Sequence, residues 1–179
     1  MNSMKGGSTV FIAGSRRLSR LSNDVKRRID GILEKGLTVY VGDANGADKA
    51  VQEYLSSRHY GKVTVFCMQG KCRNNLAGWP TRIIKASDSS RRDFAFYSTK
   101  DRVMVEEADY GLMLWDGKSR GTLRSIVDLV RGRKPVVVYL ATEKSFSTLR
   151  DEGDLATLLT QVNPEVLQRI SANYSPLLY

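Results

Sequence analysis

The strongest constraint on this chain is a regular alternation of short, β-rich apolar runs with intervals long enough for a helix. The runs are Thr9-Val10-Phe11-Ile12-Ala13, Leu37 to Val41, Val63 to Cys67, Tyr110 to Leu114 and Val136 to Leu140. They are apolar almost throughout, the pattern of strands covered on both faces. In the first interval Val25, Ile29, Ile32 and Leu33 fall on one helical face, with Asn23 as the expected N-cap and Gly36 as the stop. Ala47, Ala50, Val51, Tyr54 and Leu55 give the second interval its stripe. A third helix is expected from Ser98 to Ala108, and a fourth carries Leu123, Ile126, Val127 and Val130 before closing at Gly132. Helix-length crossovers join parallel neighbours, so the pattern predicts an α/β fold: a Rossmann-like, doubly wound parallel sheet of about five strands with C-terminal helices. The first of those helices carries Leu155, Leu158, Leu159 and Val162; the second, capped by Asn163-Pro164, carries Val166, Leu167 and Ile170. The expected organisation is a Rossmann-like domain over 1–142 and a helical extension, 143–179, packed on it.

From Met68 to about Arg92 the periodicity fails. Gly70, Gly78 and Pro80 punctuate this stretch, Lys71, Arg73, Arg82 and Lys85 keep it basic, and it reads as one long functional or mobile loop. Cys67 and Cys72, whose spacing finds no second pair to complete a zinc site, are expected as reduced thiols. His59 stands alone, so no metal and no histidine-based centre is expected. No apolar run reaches 18 residues and the opening Met-Asn-Ser-Met-Lys-Gly-Gly has no signal-like apolar core, so a cytoplasmic location without membrane contact is expected. The net charge of +9 favours anionic partners. Arginines cluster at 16, 17 and 20, at 27 and 28, at 91 and 92, and at 120, 124, 131 and 133, but no nucleic-acid-binding motif accompanies them.

Chemistry concentrates in three glycine-bearing turns, each after a predicted strand. Parallel strands bring such turns to one sheet edge, where open α/β sheets bind ligands. The first is Gly14-Ser15-Arg16: a hydroxyl that can donate to a phosphate oxygen beside a guanidinium that can clamp one. The second, Gly42-Asp43-x-x-Gly46-x-Asp48, is acidic; Asp43 suits ribose hydroxyls or a base edge, while Asp48 suits either a ligand or a helix start capped by Asn45. The third is Trp115-Asp116-Gly117-x-Ser119-x-Gly121-Thr122, where Ser119, Thr122 and the first helical N–H groups suit phosphate and Asp116 suits ribose or a water. Trp115 is expected to plug the sheet edge. Neither the dinucleotide fingerprint Gly-x-G-x-x-Gly nor a phosphate loop of the Gly-x-x-x-x-Gly-Lys-Ser/Thr type occurs, which argues against a standard dehydrogenase and a P-loop NTPase.

Together, Ala13-Gly14-Ser15-Arg16, Val41-Gly42-Asp43-Ala44-x-Gly46-Ala47-Asp48 and the Trp115 to Thr122 turn resemble the signatures of the SLOG superfamily over about residues 9–140. The resemblance is to its small YpsA/YspA-like branch, with the Lonely-guy phosphoribohydrolases and DNA-processing protein A as more distant relatives. It implies a SLOG-like Rossmann domain over 1–142 that binds nucleotides or nucleotide-derived signals. It also implies a basic residue on the third helix, matched to Arg102. Lonely-guy enzymes carry Pro-Gly-Gly-x-Gly-Thr-x-x-Glu, but this chain has Ser125 where the glutamate would stand. A phosphoribohydrolase-like activity would need Asp43 or Asp116 as its carboxylate. The function expected is binding of a nucleotide or nucleotide-derived ligand, with no cofactor. N-glycosidic bond hydrolysis or transfer and nucleic-acid binding through the basic surface are the alternatives, and a homo-oligomer is compatible with each.

Overall fold

The computed structural model describes residues 7–86 and 94–171. Their elements follow in the order β1 (Thr9–Gly14), α1 (Asn23–Glu34), β2 (Thr38–Gly42), α2 (Ala47–Ser57), β3 (Val63–Met68), β4 (Thr81–Ile84), α3 (Phe94–Glu107), β5 (Tyr110–Trp115), α4 (Arg120–Arg131), β6 (Val136–Leu140), β7 (Ser145–Leu149), α5 (Glu152–Leu159) and α6 (Pro164–Ser171). The strands form one sheet in the order β4-β3-β2-β1-β5-β6-β7, all parallel except β7, which pairs antiparallel with β6.

Each strand divides its side chains between two cores, as a period of two demands. On β1, Val10 and Ile12 enter the core shared with α1 and α2, while Phe11 enters the core of α3 to α6. On β5, Leu112 and Leu114 face the first core, Met113 and Trp115 the second. Apolar burial on both faces is what made these strands read as uninterrupted hydrophobic runs.

The sheet has seven strands, not about five. β4 lies inside the stretch expected to be loop. It is an edge strand bonded only to β3, and Ile84 is its one buried residue, so it lacks a buried strand's apolar run. β7, Ser-Phe-Ser-Thr-Leu, opens the segment expected to be helical and is rich in hydroxyl residues. Three helix starts also shift. Ser22, not Asn23, caps α1 through its Oγ, and α2 begins after Gly46, with no cap from Asn45. α3 begins one turn early, at Phe94. Cys67 and Cys72 are joined as a disulfide, which corrects the expectation of reduced thiols. Cys67 lies one residue before the end of β3 and Cys72 follows in the loop, with their Cα atoms 5.3 Å apart, inside the usual span of such a bond. Among the described residues no helix is long and apolar enough to cross a membrane, and no group of three His, Cys, Asp or Glu could hold a metal ion. Arg91 and Arg92 lie outside the described residues.

From β1 the chain walks outward through β2, β3 and β4, then returns along α3 to place β5 on the other side of β1. The strand order therefore reverses between β1 and β5. The crevice beyond their carboxyl ends, bordered by the turns after Gly14 and Trp115, is where a doubly wound sheet offers a ligand site.

Candidate functional site

The two turns at this crevice are tied directly to one another. Gly14 has no room for a side chain: a Cβ there would lie 2.3 Å from the Leu114 carbonyl oxygen. That close approach lets the Ser15 amide donate to Leu114 O at 2.9 Å and the Ser15 hydroxyl donate to Asp116 Oδ2 at 2.8 Å. Asp116 Oδ1 accepts from the amides of Lys118 and Ser119. Burial alone would raise the Asp116 pKa, but those N–H groups and the Ser15 hydroxyl outweigh it and hold the carboxyl below its ordinary value. Ser119 caps α4: its Oγ accepts from the Thr122 amide and hydroxyl, while its carbonyl accepts from buried Trp115 Nε1. Trp115 itself is wholly buried in the core of α3 to α6. Gly117, at φ +73°, makes the turn but does not border the cavity.

The second turn is held by close packing as well. Gly46 has φ +83°, and a Cβ there would meet the Arg16 backbone at 2.2 Å, so any other residue would push the first two turns apart. A Cβ at Gly42 would collide with Asp48 Oδ2 and Lys100 Nζ. Asp43 is buried in a pair with Lys100, whose Nζ is 3.1 Å from Oδ1. Arg73 reaches the same carboxylate with its backbone amide, Nε and Nη2. Burial raises the pKa of Asp43, but the Arg73 hydrogen bonds and the Lys100 charge prevail and hold it at about 2. The loop carrying Arg73 is fixed by Gln52, whose side chain donates to Gly42 O and Asn74 O and accepts from the Leu76 amide.

These turns enclose a cavity of about 580 Å³. Of the sequence-predicted residues it is bordered by Gly14, Ser15, Arg16, Asp48, Asp116, Ser119, Gly121 and Thr122. Gly42, Asp43, Gly46, Gly117 and Arg102 do not border it, and Arg102 is exposed. The basic residue that α3 does turn inward is Lys100, 3% exposed. Its signal was available: Phe96, Lys100 and Met104 recur every four residues on the buried face of α3, an unusual station for a lysine. Burial works against the Lys100 charge, but the carboxylates of Asp101, Asp48 and Asp43 overcome it and raise its pKa. Asp48 is buried and pushed up to about 6, chiefly by burial, with Lys100 pulling the other way. Burial raises Asp101 too.

At the mouth, two aromatic side chains of the first turn of α3 carry guanidinium groups. Arg16 and Arg73 lie 5.5 and 4.7 Å from the Tyr97 ring centre, and Arg120 lies 5.1 Å from that of Phe94. Across from them, the first two N–H groups of α4, on Arg120 and Gly121, find no acceptor among the described residues.

No family model and no curated protein matches this chain. Among solved structures it is similar to DNA processing protein A from Helicobacter pylori, studied for its single-stranded DNA binding mode. The TM-score is 0.59 at 16% identity, over 95% of this chain and 81% of that one. At this identity the likeness is one of fold: a mostly parallel α/β sheet with its helices, shared with a protein that the sequence resemblance counted among distant relatives.

Proposed function

We propose that this chain binds a nucleotide or nucleotide-derived ligand in the cavity between the turns after β1 and β5, with a phosphate on the N-terminus of α4. The observation that carries this reading is the pair of open N–H groups on Arg120 and Gly121 at the cavity, at the positive end of the helix dipole. Arg16 and Arg120 add charge that can follow a phosphate. The hydroxyls of Ser15 and Ser119 serve differently from the sequence expectation. Both are engaged within the protein, so they shape the cradle and leave phosphate contact to backbone and arginine. Isothermal titration with AMP, GMP and ADP-ribose against their nucleosides tests the reading. Binding that depends on the phosphate supports it, and equal or absent binding across the set refutes it.

A second reading, single-stranded nucleic acid, is favoured by the net charge of +9 and by what the Helicobacter pylori protein binds. It predicts that a labelled oligonucleotide binds with a steep salt dependence, because each neutralised phosphate releases counterions. A mononucleotide held at one phosphate would show a slope near one.

A further inference from the structure

The cavity has two poles. One is the cationic rim of α4 N–H groups, Arg16 and Arg120. The other, on α2 and α3, carries the carboxylates of Asp48 and Asp101 beside Lys100 and Arg73. Asp48 is 6% exposed, borders the cavity, and accepts one hydrogen bond, from the Ala44 amide to Oδ2 at 3.2 Å. Its Oδ1 receives no hydrogen bond from any described residue. Asp101, one turn along α3 from Tyr97, also borders the cavity, and its carboxylate likewise receives none. A buried acceptor without a donor, as at Asp48, is costly, so a ligand that reaches it gains by donating; Asp101 beside it is half-buried.

The neighbouring charges narrow what that donor can be. Lys100 lies beside both acids, and Arg16 and Arg73 act on Asp101. A cationic group entering here would meet three positive side chains, whereas a neutral hydroxyl would not. A third carboxylate, as a metal would want, is taken: Asp43 is committed to Arg73 and Lys100. Two acceptors facing one space, next to a phosphate cradle, match a sugar that carries its phosphate on one side and vicinal hydroxyls on another.

We propose that Asp48 and Asp101 form a subsite for the ribose diol, so that the site selects ribonucleotides over their 2′-deoxy counterparts. This rests on the phosphate reading above and adds the identity of the sugar. A site whose buried acceptors lose their donor discriminates strongly against the analogue that lacks it.

The test is calorimetric binding of AMP, 2′-deoxy-AMP, ribose 5-phosphate and 2-deoxyribose 5-phosphate to the full chain, to Asp101→Asn and to Asp48→Asn. The wild type should bind each ribose compound about tenfold or more tightly than its deoxy partner. Asp101→Asn should bring the two within about threefold of one another. Asp48→Asn should do the same, and Asp101→Asn, at the less buried position, keeps the test decisive if the Asp48 variant does not fold. Equal wild-type affinity for ribo and deoxy forms overturns the subsite while leaving the phosphate cradle standing. Discrimination that survives in Asp101→Asn and in a folded Asp48→Asn also overturns it. Ribose selectivity confined to AMP and missing from the sugar phosphates would assign the effect to the base and overturn it as well. No binding of any of the four compounds removes the phosphate reading and the subsite together.

Discussion

Lys100→Met is the most informative single perturbation of this protein. Lys100 Nζ sits 3.1 Å from Asp43 Oδ1, both side chains are almost wholly buried, and Asp48 and Asp101 act on the same ammonium. Methionine keeps the bulk of the side chain between Phe96 and Met104 but removes the charge that makes three acids tolerable in one place. Breaking a buried pair by removing one partner costs about 3–5 kcal/mol. The pH dependence identifies the cause. Asp48 has its pKa raised from an ordinary 3.8 to about 6, so between those values the folded protein holds a proton that the unfolded chain does not. Stability therefore falls as pH rises through that window, and above it the group costs about 3 kcal/mol. Without Lys100 the carboxylates must protonate at higher pH still. The penalty of the substitution should be full at about pH 7.5 and shrink as pH falls through 6 and below. Urea unfolding of both proteins at about pH 7.5 and about pH 5 measures it. A penalty under about 1 kcal/mol, or one equal at both pH values, would mean that Lys100 is not the counter-ion of this cluster.

Two further outcomes follow from the site. Arg16→Ala should weaken binding of a phosphorylated ligand by about 1.5–3 kcal/mol, whereas Arg27→Ala, which removes an exposed partner of Asp24, should change it little; calorimetry with AMP compares them. Incubation with AMP or GMP should release little or no free base by chromatography. Asp43 and Asp116 have their oxygens committed to protein donors, and Ser125, which borders the cavity and stands where the Lonely-guy motif has glutamate, cannot stabilise positive charge developing on the ribose. Robust turnover lost in Asp116→Asn would reverse that reading.

The central strands were legible because burial on both faces writes the same signal at every position. β4 and β7 were not, because each sits at a sheet edge, where one side of the strand needs no apolar cover. The same logic separates what the site residues revealed from what they hid. Turns show themselves by glycine and their positions by the strands before them, so Gly14, Gly46 and Gly121 were found. Arg73 could not be found that way. It reaches Asp43 across 30 residues, from a loop whose course depends on Gln52 and on the disulfide at Cys72. The resemblance matched its basic residue on α3 to Arg102, but the Phe96–Met104 stripe, which decides which side of α3 faces inward, carries Lys100 two residues earlier.

The roles within the turns also divide differently from their residue types. Hydroxyls and carboxylates are the groups a sequence reader assigns to ligands, yet here Ser15, Asp116, Ser119 and Asp43 satisfy one another, the helix cap and the loop. A helix start at the reversal of strand order has unpaired N–H groups that must find partners, and a cap that took all of them would close the site. Ser119 takes the Thr122 amide and leaves those of Arg120 and Gly121. What remains for a ligand is backbone, arginine and the two acids with acceptor capacity left. Side-chain chemistry alone points to Ser15, Asp116, Ser119 and Asp43, which hold the turns in place, as readily as to Arg16 and Asp48, which border the cavity.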